Sequence, residues 1–181
     1  MTRTRRIPPP LDARRLEELA LAYVARFATT RAKLESYLAR KVRERGWDSE
    51  APPALAALAE RFESAGYIDD EAYARAKSGS LMRRGYGMRR VGQALGAAGV
   101  EEAVRERISP GETERRAAAL VMVRRKRYGP FASEPAERAQ REKQIAAMLR
   151  AGHAMDHVRA LLDAASVDDA LEWSEAERDD E

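Results

Sequence analysis

Apolar residues along this chain recur three and four positions apart, in short runs separated by breakers, and that spacing admits helices and little else. Leu16, Leu19, Tyr23 and Phe27 mark a first helix, Leu34, Leu38 and Val42 a second, and Leu55, Leu58 and Phe62 a third. The breakers between them are Thr29-Thr30 and the stretch from Gly46 to Pro53. The same reading predicts helices near 70–84, 88–98, 101–108, 112–128, 134–151 and 154–164. Composition agrees, with 35 alanines against 18 valine, isoleucine and threonine residues together. Alanine loses least entropy in a helix, whereas β-branched side chains lose χ1 freedom there.

Several ends have a local cause. Asp69 is placed to cap the fourth helix, with Asp70 and Glu71 in a first turn where the dipole favours anions. Ser109-Pro110-Gly111-Glu112 reads as a capping box with proline at the first helical position. Gly99 and Gly152 suit helix C-termini. The middle helix of each group of three carries an apolar i,i+4 pair shortly after a basic residue: Leu34/Leu38, Val91/Leu95 and Ile145/Leu149. Such a pair is common in helical proteins, but its recurrence favours three-helix repeats over an unrelated bundle. Repeats also explain how short helices hold, since each unit buries its apolar face against the next. The expected fold is all-α, an elongated array of three tandem three-helix repeats. Residues 11–68, 69–108 and 109–165 would form the repeats, after a flexible basic, proline-rich segment at 1–10 and before an acidic, disordered tail at 166–181.

The net charge of +3 conceals an asymmetry. Residues 1–165 hold 32 basic and 22 acidic side chains, and residues 166–181 hold 1 and 8. A basic body suits a polyanionic partner, and an acidic tail is able to cover such a surface until the partner displaces it. A GC-rich genome that encodes arginine freely gives the same composition without any such role. Cysteine is absent, which excludes disulfides and thiolate metal sites. Pro8-Pro9-Pro10 stands where a signal peptide needs an apolar run, and no stretch approaches a membrane span. A cytoplasmic, monomeric protein without membrane contact is expected.

Four segments carry possible chemistry. Asp69, Asp70 and Glu71 form a carboxylate cluster, but capping accounts for them and no histidine is near in sequence. Gly85-Tyr86-Gly87 lacks the preceding strand and third glycine of a dinucleotide loop, so an interhelical turn is expected. Arg83, Arg84, Arg89 and Arg90 flank that turn, where their donor forks suit phosphates or carboxylates. Tyr86 among them is able either to stack on a base or to pack on a neighbouring helix. Arg124-Arg125-Lys126-Arg127 ends another helix, where the dipole favours cations. Four consecutive charges span more than a turn, so at least one of them should approach the apolar face or snorkel from it. Both clusters read as binding surfaces or as solvated ones. His153 and His157 stand i,i+4, which places them on one helix face as in zinc helices, but Ala154 replaces the catalytic glutamate and a third ligand is missing. No catalytic, cofactor or metal residue is expected.

The stretch Gly66-Tyr67-Ile68-Asp69-Asp70, Tyr73-Ala74, Arg84-Gly85-Tyr86-Gly87 and Gly99, in that order, resembles the RecX family of recombinase regulators. Tyr67 and Ile68 would staple a helix start to the core, and Gly66, Asp69, Asp70, Tyr73, Gly85, Gly87 and Gly99 would be structural motif positions. The resemblance implies three tandem three-helix repeats lying in the groove of the RecA–DNA filament. It also implies inhibition of ATPase, strand exchange and co-protease activity, with weak, salt-sensitive binding to single- and double-stranded DNA. Without it, the residues support an arginine-rich helical protein, either a general DNA binder with a helix-turn-helix core or an interaction scaffold.

Overall fold

A computed structural model describes residues 9–176. Ten α-helices follow one another among these residues, and the only extended pairing is an isolated bridge between Leu11 and Trp47. The all-α expectation holds. The chain divides into two compact units, one of residues 1–73 with 98–100, the other of 74–97 with 101–181.

The first unit contains α1 (Ala13–Val24), α2 (Arg31–Arg45) and α3 (Leu55–Ser64). Asp12 and Thr30 cap the first two, accepting from the backbone N–H groups of Arg15 and Lys33. Leu11, Leu16, Ala20, Leu34, Leu38, Ala59, Phe62 and Ile68 form its buried core. The periodic pattern is realised except at its end. Helix α1 stops at Val24, and Phe27 lies beyond it with 56% of its surface exposed. Gly66 adopts a left-handed φ of 76° after α3, so that Tyr67 N–H reaches the carbonyl of Phe62 at 2.9 Å. The expected staple is half realised: Ile68 is buried, whereas Tyr67 touches the Phe62 ring but is 58% exposed.

Helix α4 (Asp70–Arg83) starts in the first unit, with Asp69 Oδ1 accepting from Ala72 N–H at 2.8 Å. The second unit adds α5 (Met88–Ala97), α6 (Glu102–Arg107), α7 (Glu112–Lys126), α8 (Arg138–Ala151), α9 (Met155–Asp163) and α10 (Val167–Glu175). Its core is Ala119, Leu120, Met122, Val123, Met148, Val158, Leu161, Leu162 and Ala170.

Three expectations need correction here. The cap of α7 is Gly111, whose N–H donates to Glu114 Oε2 at 3.0 Å, so Pro110 precedes the helix instead of opening it. Helix α8 begins at Arg138 rather than near 134, after Pro135. The acidic tail is ordered over residues 167–175: Ser166 caps α10, Ala170 and Ser174 are buried, and Leu171 and Trp173 pack on the core. Those apolar positions at helical spacing outweigh the polar composition that suggested disorder. Residues 1–8 of the N-terminal segment and the last residues of the tail lie outside the described residues.

Candidate functional site

In the first unit the motif residues converge on the start of α2. Thr30 is fully buried and its hydroxyl donates to the carbonyl of Ala98 while accepting from Lys33 N–H. Asp70 Oδ1 accepts from Arg31 N–H at 2.9 Å. The carboxylate thus serves an N–H that α2 itself leaves without an intrahelical partner. Lys33 Nζ donates to the Tyr73 hydroxyl at 2.6 Å and lies 4.7 Å from its ring centroid. Gly99, with φ of 74°, comes so close to Ala32 that a Cβ there would stand 2.2 Å from the alanine methyl. Asp69, Asp70, Tyr73 and Gly99 therefore hold helix ends together. No group of three or more histidine, aspartate or glutamate side chains able to hold a metal occurs among the described residues.

In the second unit the Gly85-Tyr86-Gly87 turn interlocks with a second turn at Gly152-His153. Gly87 N–H donates to Ala151 O at 2.9 Å and Arg89 N–H to Gly152 O at 3.1 Å. His153 Nε2–H donates to the Gly85 carbonyl at 3.0 Å. Gly85 has φ of 80°, and a Cβ on Gly87 would fall 2.3 Å from the Gly152 carbonyl. The expected interhelical turn is present, and its glycines are required by backbone-to-backbone contact rather than by a phosphate.

The flanking arginines all lie exposed. They are not equivalent. Arg84 stands 5.4 Å over the half-buried Tyr86 ring, and Arg89 donates to Leu149 O at the end of α8. Arg89 thus contributes to the interlock, while Arg83, Arg84 and Arg90 present charge around a turn that is rigidly held. The second cluster is also exposed throughout. Helix α7 ends at Lys126, and Arg127 takes a left-handed φ of 54°, turning the chain away before a fourth helical cation has to meet the apolar face. None of the four is buried, so of the two alternatives the approach to the core is the one not seen.

The histidines do not share a helix face. His153 precedes α9, while His157 lies within it and donates from Nε2 to Glu112 Oε1 at 2.7 Å. Burial disfavours the charged imidazole of His153 and holds its pKa below 6.5, outweighing the Gly85 carbonyl that favours the cation. Burial alone would raise the Glu112 carboxyl. The hydrogen bond and charge of His157, together with Arg116, reverse this and leave it below the ordinary value. Arg116 continues the network, with its guanidinium 5.1 Å from the Trp173 ring and donating to the carbonyls of Trp173 and Ala176. Sequence reasoning missed Thr30 and Trp173 as organising residues. Threonine before a helix and an isolated tryptophan in an acidic segment were the available signals.

A family model described as the second three-helix domain of RecX matches residues 69–107. The chain is 33% identical to the regulatory protein RecX of Myxococcus xanthus, over 82% of this chain and 84% of that one. It is 32% identical to the same-named protein of Halorhodospira halophila, over 85% and 90%. The fold is similar to the crystal structure of RecX from Lactobacillus salivarius, with a TM-score of 0.66 at 16% identity, covering 83% of this chain and 96% of that one.

Proposed function

The chain belongs to the RecX family of regulatory proteins, and we propose that it modulates the recombinase RecA by binding in the groove of the RecA–DNA filament. The similarity over more than four fifths of both chains to the Myxococcus protein carries this reading. Tandem three-helix repeats at 11–68, 69–108 and 109–165 would space the contacts along the groove. Arg83, Arg84 and Arg90 around the pinned turn, with Tyr86 beside them, and Arg124, Arg125, Lys126 and Arg127 at the end of α7 would meet DNA phosphates or acidic filament side chains. Arginine forks favour such planar anions. Bound across protomers, the protein would obstruct the closure that ATP turnover needs, lowering ATPase, strand-exchange and co-protease activity. It would act as a monomer, with weak, salt-sensitive affinity for free DNA.

The test is a titration of RecA's DNA-dependent ATPase at substoichiometric protein. Inhibition is expected while DNA remains available, and neutralising Arg83, Arg84 and Arg90 to glutamine should weaken it. A pure DNA binder engaging about six phosphates would lose roughly a thousandfold in affinity between 50 and 200 mM salt. A filament binder keeps inhibiting there, because part of its contact is with protein. No inhibition across a full titration would sink the reading.

A further inference from the structure

Phe27 shares the apolar spacing of the first helix, yet its ring stands in water at 56% exposure. It is not loosely placed there. Its N–H donates to Tyr23 O at 3.1 Å, and its ring lies 5.4 Å from that of Tyr23 at 49°. Tyr23 in turn stacks on Tyr37 of α2, with centroids 4.2 Å apart and planes within 16° of parallel. Beyond Tyr37 lie the Arg40 guanidinium at 5.5 Å and the Lys41 ammonium at 5.9 Å. Three rings and two cations thus form one ladder inside the first unit, ending in an open aromatic face.

We propose that this ladder, Phe27–Tyr23–Tyr37 with Arg40 and Lys41, is a base-stacking site for single-stranded nucleic acid. An unstacked base offers a flat π-face to Phe27 whatever its identity, and the cations on α2 stand at the Tyr37 end of the ladder, where their field attracts the strand as a whole. Helix α2 carries six basic and two acidic side chains, so its field favours a polyanion over an acidic-neutral apolar partner. Glu44 pairs with both Arg40 and Lys41, at 3.1 and 2.7 Å, which fixes the cations but halves their charge. Stacking therefore carries more of the binding than phosphate contact does. The site should be less salt-sensitive than the arginine clusters. Duplex bases are already stacked on one another and offer Phe27 no face.

The inference rests on the filament reading only in that the reading already brings the protein to DNA. Its test is direct binding of the full chain to a short fluorescent oligo-dT, followed by anisotropy. Phe27→Leu keeps an apolar side chain and removes the ring. Its affinity for oligo-dT should fall by about five- to a hundredfold, the range for one lost base–aromatic stack, with duplex binding and thermal unfolding unchanged. Phe27→Trp should retain affinity and add quenching beyond that of Trp47 and Trp173. Wild-type affinity in Phe27→Leu, with loss only in Phe27→Ala, would indicate an apolar protein-type contact and overturn the proposal. So would equal losses for oligo-dT and duplex, or no binding of oligo-dT by the wild type. The ATPase titration is run alongside: ring-dependent oligo-dT binding without ATPase inhibition overturns the filament reading and supports this site. Inhibition without ring-dependent binding does the reverse.

Discussion

Replacing Gly87 by alanine should unlock the two turns of the second unit. Gly87 is not in a left-handed conformation, so alanine carries no backbone penalty there and the whole effect is one of contact. The added Cβ would stand 2.3 Å from both C and O of Gly152 and 2.4 Å from His153 N. Every one of these is a backbone atom, so no side chain can swing aside. To reach ordinary contact the turns must part by about an ångström. Such a shift breaks the bonds from Gly87 N–H to Ala151 and from Arg89 N–H to Gly152, and the one from His153 to Gly85. At about 1 kcal/mol each these contribute roughly 3 kcal/mol, against about 0.5 kcal/mol gained by restricting the unfolded chain. The melting temperature of the protein should fall by about 5–10 °C, read by circular dichroism. Gly92, five residues on in α5, has nothing within 4 Å of its would-be Cβ. Gly92→Ala should stabilise by about 0.5–1 kcal/mol, from helix propensity alone. Equal shifts in one direction for the two variants, or a Gly87→Ala protein melting within about a degree of wild type, would refute the interlock.

Further outcomes follow from the same network. His153 has a folded pKa below its unfolded value of 6.5, so its contribution to stability is complete above pH 6.5. It is lost as pH falls below 6.5, where the unfolded chain takes up a proton that the fold resists. Glu112, depressed below 4.5, adds a second loss only beneath that pH; urea titrations across pH should show both limbs, and His153→Asn should remove the first. Trp173→Ala should destabilise the second unit by about 2 kcal/mol, because the ring is half-buried between His157 and Arg116; chemical denaturation measures it, and an unchanged midpoint would restore the disordered-tail expectation. Arg127→Gly should stabilise by about 1 kcal/mol by relieving the left-handed residue, while weakening ATPase inhibition if the cation meets the filament. Gln144→Met should raise the melting temperature, since the buried Gln144 Oε1 has no partner.

The residues legible in advance were those whose behaviour is set within a turn or two of chain. Helix positions follow from apolar spacing and alanine, Asp69 caps its own helix, and Gly66, Gly85, Gly99 and Gly152 sit at helix ends because only glycine enters positive φ cheaply. These are local energies, so the sequence alone determined them, and the family motif from Gly66 to Gly99 followed. What the motif residues touch was decided by tertiary structure. Asp70 is the first-turn anion its position predicts and also accepts from the start of α2, 39 residues away; Gly87 reads as part of an interhelical turn and proves to be a backbone contact with Gly152. Phe27 reads as core by spacing, yet helix α1 ends before it, and Trp173 reads as tail yet anchors α10. Periodicity states that a side chain is apolar and on which face it would lie. Whether that face is covered depends on elements distant in sequence, whose approach no local energy encodes.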